Sequence, residues 1–115
     1  MSDLNKVTMV GNVVYEPKRR EEQGQQVAGF VLATTVEEWH GGTRRLSVDF
    51  HVCRAAGKLG DIIAAYVRKG SKLYVEGRLR AVVGAARGRG PATSVVEVEN
   101  IIMLGHRSTA HEGAA

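Results

Sequence analysis

Apolar and polar positions change period twice along this chain. Over residues 4–14, LNKVTMVGNVV, β-branched residues dominate with no helical spacing, which predicts a strand. Residues 15–26, YEPKRREEQGQQ, lose the apolar positions and read as a polar loop around Pro17 and Gly24. Apolar residues return as a nearly continuous run over 27–37, VAGFVLATTVE, the pattern of a central strand. EWHGGTRR then supplies a hairpin turn through Gly41-Gly42. A third strand runs from Leu46 to about Ala55, with Leu46, Val48, Phe50 and Val52 on one face.

After Gly57 the period lengthens. Leu59, Ile62, Ile63 and Tyr66 fall at i, i+3, i+4 and i+7, one stripe of a short helix. Arg68 and Lys69 would complement the dipole of its last turn, and Gly70 would cap it. The period then returns to two. Leu73, Val75 and Leu79 alternate with Lys72, Tyr74, Glu76, Arg78 and Arg80 in a fourth strand. A fifth strand spans Thr93 to Leu104, after which a polar tail is expected to fray. The chain thus reads as one domain over 1–105 with a short flexible tail over 106–115. An all-β chain of five strands, with one short helix between the third and fourth, is the layout of the OB-fold Greek-key barrel. That fold binds oligonucleotides or oligosaccharides on strands 2 and 3 and on the loops joining strands 1–2 and 4–5. The alternatives are an SH3-like barrel, which would lack the helix, or an open α+β sheet; strand count and helix position favour the OB layout.

Composition narrows the function classes. The chain carries 16 Lys+Arg against 12 Asp+Glu, a net charge of +4, and a pI of about 9.6. The excess suits a polyanionic partner but is too mild to establish one, so distribution matters more. The cations cluster at Lys18, Arg19 and Arg20, at Arg44 and Arg45, and between residues 66 and 91. In that last stretch Arg68, Lys69, Lys72, Arg78, Arg80, Arg87 and Arg89 oppose Glu76 alone, seven cations against one acid. All three clusters fall on or beside the loops an OB barrel uses for its ligand, which favours a groove that tracks a phosphate backbone over a merely solvated face.

The lone Cys53 excludes an internal disulfide and reads as a small buried hydrophobe; no zinc-ligand spacing occurs. Neither a signal segment nor an apolar run of roughly 18 residues is present, so the expectation is a soluble, cytoplasmic, nucleoid-associated protein without a membrane partner. Asp49 and His51 stand two apart on one strand and could pair as acid and base, but nucleophile-elbow and phosphate-cradle motifs are missing. The expectation is a protein that is not an enzyme and uses no metal or cofactor.

Trp39 is the most informative residue. It lies in a polar, glycine-bearing hairpin where no core pattern would bury it. Either it stacks on a base, worth about 1–3 kcal/mol, or it folds over the barrel end or into a subunit contact. Phe50 stays open on periodicity alone: a core residue, or a second stacking platform with Arg54 beside it.

NKVTMVGNV, FVLATT followed by the tryptophan, GKLGDIIAAYVRKGSKLYVEGRLR and VENIIMLG together resemble the bacterial-type single-stranded DNA-binding protein family, over roughly residues 3–105. The resemblance implies an OB-fold and sequence-independent binding of single-stranded DNA by a homotetramer, in replication, recombination or repair. By position, Trp39 and Phe50 match stacking aromatics, and Lys58, Arg68, Lys69, Arg80 and, more loosely, Arg20 match basic positions on the DNA path. His51 matches a subunit-interface position, and Lys72, Tyr74 and Glu76 fall on strand surfaces used in assembly. Arg54, Arg87 and Arg89 join the DNA-binding set from their placement in the sequence.

Three departures stand out. One family aromatic is Ala56 here, another falls at or near Gly84, and the chain ends in HEGAA rather than the acidic, aromatic-tipped peptide that recruits repair and replication proteins. That ending implies a shortened chain or a specialised paralogue without such recruitment. An alternative reading is an OB-fold protein-interaction module of a primosome or recombination complex, with weak nucleic-acid binding. The stretch AVVGAARGRGP, with Arg87 and Arg89 between glycines, reads as a mobile electrostatic arm. Arg87→Gln/Arg89→Gln is accordingly expected to weaken oligo-dT binding at low salt and to change it little at high salt, measured by fluorescence titration.

Overall fold

The computed structural model describes residues 2–82 and 93–106. Its elements are β1 (Val7–Val13), β2 (Lys18–Glu22), β3 (Gln25–His40), β4 (Thr43–Ala56), α1 (Gly57–Tyr66), β5 (Ser71–Val82) and β6 (Thr93–His106). The hydrogen-bonded order is β1-β5-β6-β4-β3-β2, and β1 also pairs with β3. That extra pairing closes β1, β5, β6, β4 and β3 into a five-stranded barrel and, among the described residues, leaves β2 bonded to β3 alone. With α1 between β4 and β5, this is the OB-fold layout expected from the sequence.

Closure depends on β1 changing partners. Val7 to Asn12 pair with Gly77 to Lys72 of β5, while Asn12 and Val13 meet Ala33 and Leu32 of β3. At the crossing the two backbones come so close that a Cβ on Gly11 would run into the carbonyl of Ala33. Inside the barrel, Phe30, Leu32, Cys53, Leu73, Val75 and Val96 are buried, and Ile63 and Val67 close one end. Burial pushes the Cys53 thiol up to about 12, so it stays protonated as a core group.

The sequence-based elements differ from the structure in several places, one being the hairpin, where β3 runs on to His40 and β4 begins at Thr43, so that Trp39 stands on a strand rather than in the turn. Residues 18–22 form β2, not loop, joined to β3 by a tight turn at Gln23 and Gly24. Most of β2 is exposed, so it carries no apolar alternation to announce it. The first strand begins at Val7; ahead of it, the Asn5 amide donates to the Leu79 carbonyl (2.8 Å) and accepts from the Leu79 N–H (3.0 Å), standing in for a strand partner. The helix is rotated from the expected stripe. Gly60, Ile63 and Val67 face the barrel, while Ile62 and Tyr66 are exposed, because a glycine in tight contact adds nothing to an apolar count. Finally, the helix ends at Tyr66 with Val67 as its cap, and Gly70 (φ 91°) instead belongs to the turn into β5. Arg68 still serves the helix end, its guanidinium donating to the carbonyls of Ala64 (3.3 Å), Ala65 (2.9 Å) and Val67 (2.9 Å).

Two outcomes follow. Gly11→Ala is expected to cost about 1–3 kcal/mol through overpacking at the β1–β3 crossing, read by denaturant unfolding. The second concerns Lys6 and Glu76, which pair at 2.9 Å and tie the segment before β1 to β5. The Lys6 ammonium, hydrogen-bonded to the carboxylate, holds the Glu76 carboxyl below its usual 4.5. A lowered folded-state value stabilises above the unfolded value and is lost as pH falls through the folded one. The unsubstituted chain should therefore melt above Glu76→Gln at neutral pH, with the difference closing below pH 4.5.

Candidate nucleic-acid interface

The longest elements, β3 and β4, form one antiparallel ribbon registered from Val27↔Ala56 to His40↔Thr43. Its two-residue turn uses Gly41 and Gly42, both with positive φ (59° and 84°), as hairpin twist requires. Alternation splits the ribbon into two faces. Phe30, Leu32, Cys53 and Ala55 point into the core. The opposite face carries the cross-strand pairs Val31↔Val52, Ala33↔Phe50, Thr35↔Val48, Glu37↔Leu46 and Trp39↔Arg44. Leu46, Val48, Phe50 and Val52 do share a face, and it is the solvent face.

Trp39 is 65% exposed and Phe50 64%. Phe50 sits opposite Ala33, six positions before Trp39 on β3, so the two rings lie about 20 Å apart along the same face. Arg44 crosses from Trp39 and forms an ion pair with Glu37. Beyond about Val36 the ribbon leaves the core, and both of its faces are exposed.

Nearer the base of the ribbon, a groove of about 1130 Å³ opens between β2, β3, β4, β5 and β6. Three of the expected basic residues, Arg20, Arg54 and Arg80, line it together with Lys18, Arg19, Glu22 and Glu97. Arg20, Glu22, Arg54, Glu97 and Arg80 form a chain of ion pairs across four strands. The Arg54 guanidinium donates one terminal nitrogen to Glu97 and the other to Glu22, each at 2.6 Å. Glu22 also accepts from Arg20 Nε at 2.9 Å, and Glu97 lies 3.6 Å from Arg80. Arg54, with Arg20 contributing, holds the Glu22 carboxyl below the usual carboxylate range. Alongside, Arg78 approaches Glu99 at 3.8 Å.

The remaining expected residues are dispersed. Lys58 is exposed in the first turn of α1, Arg68 caps that helix, and the Lys69 N–H donates to Glu16 at 3.0 Å. None of these three lines the groove. Arg87 and Arg89 lie outside the described residues. Of the residues assigned to assembly, Lys72, Tyr74 and Glu76 occupy β5, where Tyr74 pairs with Val10 and Ile102 to make an apolar row across three strands. His51 is separate from them; it points to the inner side of the ribbon and meets the Thr34 hydroxyl at 2.8 Å.

Reading the sequence missed Glu22 and Glu97. Their signal is tertiary: Arg54 reaches 32 residues back to Glu22 and 43 forward to Glu97. A charge count along the chain sees Arg78 and Arg80 as unopposed, whereas the strand beside them carries Glu97 and Glu99. Among the described residues, no group of three or more His, Cys, Asp or Glu side chains could hold a metal ion, and no helix is long and apolar enough to cross a membrane.

Comparison with known proteins agrees with this fold. The chain is 40% identical over 79 residues to single-stranded DNA-binding protein 1 of Chlorobaculum tepidum, covering 67% of this chain and 49% of that protein. It is 33% identical over 108 residues to the single-stranded DNA-binding protein of Xylella fastidiosa, covering 91% of this chain and 66% of that protein. The chain therefore spans between about half and two thirds of these relatives' lengths. Among solved structures, the Plasmodium falciparum SSB in complex with ssDNA superposes with a TM-score of 0.81 at 25% identity, over 90% of this chain and 97% of that one. The profile of the single-strand binding protein family matches residues 4–104, nearly all of the barrel, and the chain belongs to that family.

Proposed function

We propose that this chain binds single-stranded DNA without reading its sequence and performs no catalysis. Bases would stack on Trp39 and Phe50 while the arginines of the groove face the phosphates. The carrying observation is the placement of both aromatic rings, about two-thirds exposed, on one face of the β3–β4 ribbon that also holds Arg54. Large rings held on a strand and left in water are costly unless a partner covers them, and every base offers a π-face to stack on. The ribbon face runs from the aromatic pair to the basic groove, so a strand lying along it would meet stacking surface first and cationic surface next. Membership of the family, and the DNA-bound form of the Plasmodium falciparum relative, support the same reading.

Self-association belongs to this proposal. Val10, Tyr74 and Ile102 form a cross-strand row in which Val10 and Ile102 are about half exposed, flanked by Lys72 and Glu76. A second copy would cover this row, consistent with a homotetramer that leaves the ribbon face to DNA.

Oligo-dT is expected to quench Trp39 fluorescence, with affinity falling steeply as salt rises and with duplex DNA binding far more weakly. Trp39→Ala and Phe50→Ala should each cost about 1–3 kcal/mol of binding. Unchanged affinity in both variants, or equal binding of duplex and single strand, would overturn the stacking mechanism.

A further inference from the structure

We propose that Glu22 is a built-in counter-anion of the groove: it occupies a phosphate seat on Arg54 in the free protein, and a phosphate of the bound strand displaces it. The proposal rests on the single-stranded DNA reading above and specifies what the basic groove does before DNA arrives.

A carboxylate and a phosphate seek the same donors on a guanidinium, so the two compete. Both terminal nitrogens of Arg54 are already engaged by carboxylates at 2.6 Å, one from β2 and one from β6. The chain Arg20–Glu22–Arg54–Glu97–Arg80 therefore sets three cations against two anions, and the groove presents much less positive charge than its arginines suggest.

The two carboxylates are not equivalent. Glu97 is the more enclosed, its side chain only 14% exposed, and it lies between Arg54 and Arg80. Displacing it would strand a charge on the groove floor. Glu22 is 33% exposed and stands on β2, which among the described residues is hydrogen-bonded only to β3. Its second oxygen is held by Arg20, so it can release Arg54 and remain paired. Glu22 is thus the displaceable partner and Glu97 the fixed one, which keeps Arg54 oriented toward the groove while a phosphate takes the vacated nitrogen.

Anisotropy of labelled oligo-dT, across a salt series, tests this with unsubstituted chain, Glu22→Gln, Glu21→Gln, Arg54→Gln and Arg54→Gln/Glu22→Gln, the fold of each checked by thermal melting. Glu22→Gln should bind about two- to fivefold tighter at low salt, the scale of an exposed ion pair. It should also show a steeper dependence of log affinity on log salt, by at most about 0.7 for one further phosphate contact. Glu21→Gln removes the same charge one residue away, on the other face of β2, and should change affinity less. The gain should disappear when Arg54→Gln is the background. Unchanged or weaker binding by folded Glu22→Gln overturns the proposal, as does an equal gain from Glu21→Gln or a gain that survives loss of Arg54. In each of those cases the unsubstituted chain still binds and the DNA reading stands. Failure of the unsubstituted chain to bind oligo-dT overturns both.

Discussion

The candidate site depends on β1 using both of its edges. One edge pairs with β5 and the end of the strand crosses to β3, which closes the barrel and satisfies the backbone groups an open sheet would leave unpaired. Closure decides which face of β3 and β4 is inside. Once Phe30, Leu32, Cys53 and Ala55 are committed to the core, Val52, Phe50 and Val48 are committed to solvent by the two-residue period of the strand. Gly11 sits at that crossing, beside Ala33, and Ala33 is the cross-strand neighbour of Phe50. The packing constraint and the presentation of a ring therefore meet within one register step.

The same topology rearranges charge. β6 runs parallel to β4 and antiparallel to β5, so its acids fall between arginines of both strands. β2 adds Glu22 from the other side. What looks along the chain like a basic run becomes, in space, a ladder of alternating charge. Exposed ion pairs add little to stability, so the main consequence of the ladder is for binding. It orients Arg54 and moderates the groove's attraction for anions. A surface of this kind would lean on its aromatic rings for affinity, and here both rings stand on paired strands of one ribbon rather than on a loop.

Much of the architecture was legible in the residues. Switches of period located the helix and the five barrel strands, and Gly41-Gly42 marked the hairpin because a two-residue turn of that hand needs positive φ. The polar surroundings of Trp39 set it outside any core pattern, and the structure, by leaving it 65% exposed, decided against its folding over the barrel end. β2 was not legible, because a strand with little buried surface leaves no alternation. The inner face of α1 was misread because Gly60 packs by closeness rather than by apolar area.

Local chemistry thus determined the five barrel strands and the helix, their order, and which aromatic and basic residues were candidates for a ligand surface. The side on which Phe50 stands was beyond the sequence, since alternation defines two faces without naming the inner one. The partners of Arg54 were equally hidden. Only closure of the barrel chose the face, and only the neighbouring of strands distant in sequence put Glu22 and Glu97 on the same guanidinium. Side-chain period is a property of one strand, whereas burial and ion pairing are properties of the strands beside it.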